Sequence, residues 1–376
     1  MIAVHAVGDL VLERADSFPL FEPSIPVLER ADLVIGHLEI PHLVNGIVQT
    51  TDVPAIPGPP SALDGVAAAG FDVLTLAGNH VYDYGPEGIR ETIAHCAARG
   101  LRTVGTGETL DDAFQPLIAK VGGQRVGVLS VNCVGPRETW ATTLKPGNAY
   151  LEIISHYDQH SANPGGAPRV FTFAEERSLS RFVAAVRAAV EQTDVLIVAL
   201  HKGLVHVPAE LADYERVVAH AAVDAGAAAV IAHHAHILRG VEIYADRPIF
   251  HGLGNFATVT RAFSAKDGDA PERARWARRR RRLFGFDPDP AMPEYPFHPE
   301  SRNTMIGVLE FSDAGDVSAF VIPCWIDEHA RPIPLGHDDR GAAVADYIRT
   351  ISGDAGLDTE YTWVEDRLAV HTKGSN

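Results

Sequence analysis

The sequence predicts an α/β fold in which two β-sheets pack face to face with helices outside them. Three observations predict it. Short apolar runs alternate with amphipathic helical patterns, each apolar run stops at a residue that can ligate or titrate, and the tail returns as tandem strand-like runs that complete a second sheet.

The apolar runs define the sheets. Ile2–Val7 leads into Gly8-Asp9, Asp32–Ile35 into Gly36-His37-Leu38-Glu39, and Val73–Leu76 into Gly78-Asn79-His80. Val195–Leu200 stops at His201-Lys202-Gly203. The run that opens at Ala228 stops at His233, His234 and His236, and Pro248-Ile249-Phe250 stops at His251 before Gly252-Leu253-Gly254-Asn255-Phe256. Such runs read as buried strands that deliver side chains at their carboxyl ends. One Asp or His after a strand is often only a turn former or a helix cap. Six such ends in one chain point to a shared site. Within it, the alternation His234-Ala235-His236 lets two imidazoles converge on one locus while Ala235 faces away, which suits a metal.

Helical patterns cover Pro60–Ala69, Pro86–Ala98, Glu175–Gln192 and Pro208–Ala225, several with proline near the first turn and glycine at the close. Met305–Phe311 and Ser318–Pro323 read as strands and Gly341–Ser352 as a helix, ahead of a polar end. Ala141–Arg169, with His156, His160 and Asn163-Pro164-Gly165-Gly166, reads as a long loop or substrate-facing insertion. Phe263–Arg302 carries seven arginines between Arg273 and Arg282, then a proline-rich stretch that cannot be a regular helix. It fits a solvated basic helix with an extended arm, or guanidiniums that bind a carboxylate or phosphate. The organisation expected is a single domain over 1–376 with insertions at about 141–169 and 263–302.

Composition limits the function. With 376 residues, 46% hydrophobic and 22% charged, the chain is a globular protein of enzyme size with a substantial core. A formal net charge of −17 argues against nucleic acid as a partner. No apolar run approaches the roughly 20 residues of a membrane span, and MIAVHAVGDL reads as a strand already in the fold, so the expectation is a cytoplasmic protein without membrane partners. Cys96, Cys133 and Cys324 are scattered and odd in number, which suggests neither a disulfide framework nor a CxxC zinc site. There is no Walker loop, GxGxxG, GxSxG or HExxH.

The ordered set GDLVL, HLE, GNHVYDYG, HKG, AHHAHILRGVEIY and HGLGNF resembles the CapA, or poly-γ-glutamate capsule biosynthesis, family, which is related to calcineurin-like metallophosphoesterases. The resemblance covers roughly Met1 to Phe256. It implies a four-layer αββα sandwich with a metal centre at the carboxyl ends of its strands. By that resemblance Asp9, Glu39 and His236 serve one metal position, and Glu39, Asn79, His201 and His234 the other, with Glu39 bridging. His80 then works on the substrate while Asp83 orients it. Carboxylate, amide and imidazole donors suit Mn, Zn, Fe or Ca, at one or two sites.

Some positions depart from the pattern. Val11 stands where calcineurin-like enzymes carry a histidine, Lys202 and Val205 stand where CapA-like proteins often have an aromatic and an acid, and His37 replaces a frequent asparagine. Three functions follow as alternatives. One is a metal-dependent hydrolase of a phosphoester or amide, with His80 as general acid. The second is a metal-dependent epimerase inverting a Cα centre of a ribosomal, lasso-type peptide, with His80/Asp83 as one acid–base pair and Asp9 with His251 or His234 as the other. The third is a binding module with a vestigial site. The expected partner is a peptide or small anionic substrate, met by Lys202, Asn255, Arg279 and Arg280.

Overall fold

A computed structural model describes residues 1–49, 56–158, 169–261, 271–312 and 314–374, without the side chains of 272–274, 276, 277 and 280. In chain order its strands are β1 (Ile2–Leu12), β2 (Leu33–Leu38), β3 (Val73–Thr75), β4 (Arg102–Val104), β5 (Thr106–Gly107), β6 (Leu117–Val121), β7 (Gln124–Asn132), β8 (Gly147–Asn148), β9 (Ile153–Asp158) and β10 (Arg169–Ala174). They continue as β11 (Val195–His201), β12 (Ala229–His233), β13 (Val241–Tyr244), β14 (Arg247–Phe250), β15 (Asn255–Val259), β16 (Asn303–Phe311), β17 (Val317–Ile326), β18 (Pro332–Pro334), β19 (Thr359–Val364) and β20 (Arg367–Thr372). The helices are α1 (Phe18–Phe21), α2 (Ile25–Leu28), α3 (Ala62–Ala68), α4 (Gly85–Ala97), α5 (Leu110–Ala113), α6 (Glu176–Val190), α7 (Asp213–Asp224), α8 (Pro271–Phe284) and α9 (Asp339–Asp354).

Two large sheets form. The first runs β19-β20-β17-β16-β1-β2-β3-β4, with β15 on β1 and β18 on β17; the second runs β13-β14-β12-β11-β7-β6. In the first, β1 to β4 are parallel and β16, β17, β20 and β19 antiparallel. In the second, β14, β12, β11 and β7 are parallel. The glycine pair Gly122-Gly123, with φ of 53° and 88°, supplies the two left-handed residues that turn β6 into β7.

The period-two alternation of a strand sorts the side chains into three cores. Ile2, Val4, Leu33, Ile35 and Val73 of the first sheet meet Val126, Val128, Ile197 and Ile231 of the second. The opposite face of the first sheet, with Val34 and Leu74, packs on Leu20, Phe21, Leu63, Val66 and Ile89 from α1, α3 and α4. The opposite face of the second, with Leu196, Val198 and Val230, packs on Phe182, Val186, Val218 and Ala222 from α6 and α7. The result is helices, sheet, sheet, helices: a four-layer αββα sandwich. Val344, Ala345 and Ile348 of α9 pack into the inter-sheet core.

One expectation needs correction. Part of 141–169 is not a loop, because β9 pairs antiparallel with β10 as a separate ribbon; His160 and Asn163-Pro164-Gly165-Gly166 lie outside the described residues. The polar end is also structured: β19 and β20 form a hairpin that joins the first sheet through β17. The arginine run is helical as α8, and 285–298 contains no helix, as its prolines require. No described helix is long and apolar enough to cross a membrane.

Candidate metal centre

The inward phase of three strands carries directly into the site. On β2, Leu33 and Ile35 face the second sheet, so His37 and then Glu39 follow them; on β11, Val195, Ile197 and Ala199 are followed by His201, and on β12, Ala229 and Ile231 by His233. β1 reaches the same place by breaking its alternation. Ile2, Val4 and Ala6 face inward, yet Val7, Leu10 and Leu12 pack on the helix side, and the pairing of β1 shifts register around Asp9 on both neighbours. This irregularity turns Asp9 from the helix side into the space between the sheets.

The ligating atoms converge there. Asp9, Glu39 and His236 have donor atoms within 4.8 Å of one another, as do Glu39, His201 and His234, so Glu39 belongs to both groups. His236 Nε2 lies 3.2 Å from Glu39 Oε1 and its Nδ1 3.5 Å from Asp9 Oδ2. His201 Nε2 is 2.8 Å from Asn79 Oδ1 and 3.2 Å from His234 Nδ1. His234 and His236 adopt left-handed backbone, φ 90° and 52°, with Ala235 buried between them. Non-glycine residues accept that conformation only where surroundings over-determine it, and here it aims both rings at the carboxylates.

The electrostatics are those of a cation site. Burial alone would raise Glu39, but the His236 imidazolium overrides it and holds the carboxyl at about 2. Burial and the Glu39 charge push Asp9 well above the carboxylate range. Against its own burial, His236 is raised to about 9 by Glu39 and Asp9. Burial lowers His234 to about 3, with His236 adding to the effect, and takes His201 far below the ordinary imidazole value. Two buried carboxylates thus compete for one positive charge, while neighbouring imidazoles stay neutral with lone pairs to offer. Glu39 Oε2, His201 Nδ1 and His37 Nε2 have no hydrogen-bond partner, and at Glu39 Oε2 coordination would remove a cost of roughly 1–3 kcal/mol. The residues present fit a divalent ion.

His80 and Asp83 stand beside this cluster in the turn after β3. Asp83 Oδ2 is 2.8 Å from His80 Nδ1, and the carboxylate is nearly buried while the His80 side chain keeps 19% exposure. Burial lowers the affinity of His80 for a proton, but Asp83 and Glu39 outweigh it and the net shift is upward.

Other expected site residues lie elsewhere. Lys202 is fully buried; its Nζ donates to Glu215 Oε2 at 2.8 Å and reaches His251 Nδ1 at 3.2 Å, so it offers no free charge to a substrate. His251 is equally buried, with Nε2 2.8 Å from Glu242 Oε2, and does not pair with Asp9. Both belong to a charge network that includes Arg239, which binds the carbonyls of Leu204 and Glu210 and fixes the loop after β11. Asn255 is buried too: its Oδ1 lies 2.8 Å from His236 Nδ1 and its amide donates to Tyr295 Oη, which fixes the His236 ring. Arg279 is exposed on α8, and the Arg280 side chain lies outside the described residues.

Three neighbours were not anticipated as site residues. His37 completes a third convergent group with Asp9 and His201, and its Nδ1 lies 2.9 Å from Thr75 Oγ1. His206, at φ 62°, holds its ring 6.0 Å from that of His236 and 5.0 Å from those of Phe284 and Phe286. Phe297 stacks obliquely 5.0 Å from His236. The signal for His37 was its inward phase on β2; the approach of residues 284–297 to His206 is a long-range contact with no local signal.

Comparison with known proteins places the chain in a family. The chain is 28% identical over 266 residues to the capsule biosynthesis protein CapA of Bacillus anthracis, covering 68% of this chain and 59% of that protein. It is 26% identical over 268 residues to the PGA biosynthesis protein CapA of Bacillus subtilis, covering 68% and 63%. An uncharacterized protein of Sinorhizobium fredii, y4uA, is 29% identical over 312 residues, and the chain spans 65% of its length. Among solved structures, the calcineurin-like phosphoesterase YfkN of Bacillus subtilis aligns over 94% of this chain and 98% of its own at 14% identity, with a TM-score of 0.36. Residues 3–260 match the model of the bacterial capsule synthesis protein PGA_cap, and the chain belongs to that family.

Proposed function

We propose that the protein is a metal-dependent hydrolase of a phosphoester or amide bond in a peptide or small anionic substrate. The observation that carries this reading is the His80–Asp83 pair, 2.8 Å apart, at the open side of a buried set of unsatisfied ligand atoms. Asp9, Glu39 and His236 would hold one ion, and Glu39, Asn79, His201 and His234 a second. A bound divalent ion supplies Lewis acidity and lowers the pKa of water. Asp83 holds His80 Nδ1, which leaves Nε2 to pass a proton to the departing group, and the Asp83 carboxylate raises the affinity of the ring for that proton. Asn255 fixes the His236 ring so that Nε2 faces Glu39. The basic helix α8 ends at Phe284, against His206 at the edge of the cluster, which favours an anionic substrate.

A second reading is epimerisation at a peptide Cα. It is favoured by a second imidazole–carboxylate pair in the same space, His236 with Asp9 at 3.5 Å, where His251 or His234 was expected. One experiment separates the readings. The protein, loaded in turn with Mn, Zn, Fe and Ca, is incubated in D2O with bis(p-nitrophenyl) phosphate and with synthetic acidic peptides, and products are weighed by mass spectrometry. Hydrolysis releases fragments without deuterium at Cα; epimerisation adds about one mass unit without any fragment, as exchange with solvent demands. Neither product from metal-loaded protein overturns both enzyme readings and leaves a binding module.

A further inference from the structure

A second polar hollow lies at the other end of β1, on its helix-facing side. Its volume is about 350 Å³, and its lining includes His5, Arg30, Glu310, Glu365, Asp366 and Arg367. That size suits a small ligand. His5 precedes Asp9 by four residues on the same strand, roughly 13 Å at the rise of a β-strand, so the hollow is separate from the metal centre. α2 borders it through Val27, and the strands β16 and β17 form its base.

The charges around it are unusually placed. His5, at the floor, is only 4% exposed, and its Nδ1 has no hydrogen-bond partner. Burial, helped by Arg367 and Arg30, lowers this imidazole to about 4, while the Val27 backbone engages the ring by a hydrogen bond; the ring is neutral at physiological pH. An unpartnered polar atom so deeply buried is destabilising unless something binds it. Within the wall, Arg367 and Glu310 neutralise each other at 2.5 Å, and the Arg367 guanidinium lies over the Phe320 ring. On the rim, Arg30 is exposed and meets no carboxylate among the described residues. The two-residue turn from β19 to β20 also lines the hollow and presents Glu365 and Asp366, both exposed and both without an ion pair among the described residues. Glu365 takes φ 56° to make that turn.

An isolated anion would meet Arg30 but be repelled by Glu365 and Asp366, and an isolated cation would face the reverse. A molecule that carries both charges is complemented at both ends. We propose that this hollow is a binding site for a zwitterion of amino-acid size, with its carboxylate on Arg30 and its ammonium between Asp366, Glu365 and His5 Nδ1.

The test is calorimetric titration of the full, metal-loaded chain with L-glutamate, L-lysine, L-leucine and glycylglycine, and with N-acetyl-L-leucine and L-leucinamide, which each lack one charge. At least one free zwitterion is expected to bind saturably at one site per chain, and each blocked form roughly tenfold more weakly or worse, as loss of a charge-assisted hydrogen bond requires. Arg30→Gln and Asp366→Asn, both at exposed positions, are expected to weaken binding by roughly tenfold each while melting temperature and metal content stay at wild-type values. His234→Ala, which alters the metal centre, is expected to bind the zwitterion as wild type does. The proposal is overturned if no zwitterion binds, if blocked forms bind equally well, if the rim variants keep full affinity, or if His234→Ala loses it.

Discussion

Two residues separate His80 from Asp83, and the turn between them, closed by the Asp83 N–H to the His80 carbonyl at 3.0 Å, brings imidazole and carboxylate together. Neither side chain is in the three convergent ligand groups. His80→Ala and Asp83→Asn are therefore expected to lower turnover by roughly two orders of magnitude or more at unchanged metal content, the usual range for loss of a general acid or its orienting partner. His234→Ala is expected to lose metal and activity together. Elemental analysis beside steady-state kinetics checks both, and metal loss in the His80 or Asp83 variants would reassign them as ligands. At this scale much was legible, because residues that end apolar strands in one sheet must gather at one edge. Lys202 and His251 also follow strands and Asn255 opens one, yet all three turn into buried partners. Which side of a strand end meets Glu215, Glu242 or Tyr295 is decided by segments far away in sequence.

β1 shows why elements carry information that residue lists lack. Its alternation breaks around Gly8-Asp9, where β15 and β16 both pair with it, and the backbones close in so tightly that a Cβ on Gly8 would lie 2.0 Å from the Gly254 carbonyl oxygen. The Asp9 N–H donates to that same oxygen at 2.9 Å. Gly8→Ala must then push β15 off β1 and swing Asp9, and with it Asn255 and His236. The expected result is a loss of roughly 1–3 kcal/mol of stability, as for overpacking elsewhere, with weakened metal affinity although every ligand remains. Denaturant unfolding and metal titration of the variant check this; unchanged metal affinity would mean that β1 relaxes without moving Asp9. The apolar run announced β1, but periodicity could not announce its irregularity, since the shift exists only relative to β2 and β15. The β9–β10 ribbon was hidden for a different reason: its strands stay partly or fully exposed, so no buried face marked them. The β19–β20 hairpin did leave a signal, with Tyr361 buried between exposed neighbours.

The molecule buries histidines on its strands and loops, and three of them lie away from the candidate metal centre. Burial lowers His5, His42 and His251 each to about 4; Arg367 and Arg30 add to this at His5 and Lys202 at His251, while the Pro59 carbonyl only partly opposes it at His42. An unfolded chain would protonate the same rings near 6.5. Each group with a depressed folded value therefore contributes stability that is complete above about pH 6.5 and is lost as pH falls towards 4, where the unfolded state holds up to three more protons. That amounts to roughly 4 kcal/mol per pH unit at most, since one proton is worth about 1.4 kcal/mol per unit. Glu215 and Glu242, held at about 2 against their burial by Lys202 and by His251, act in the same direction only below about pH 4.5. His80, raised, has the opposite sign: its contribution is present below 6.5 and fades as pH rises through its folded value, and it is one group against three. With metal saturating, so that the ligands titrate little, the melting temperature is expected to be level from pH 8 to 7. It should then drop by roughly 6 °C between pH 6.5 and 5, from a loss of about 5 kcal/mol over the three rings at about 1.3 °C per kcal/mol for a chain of this length. Scanning fluorimetry across that range measures it. A melting temperature constant down to pH 5 would mean that these rings gain protons in the folded chain, and that the hollow around His5 and the network around His251 admit water and charge.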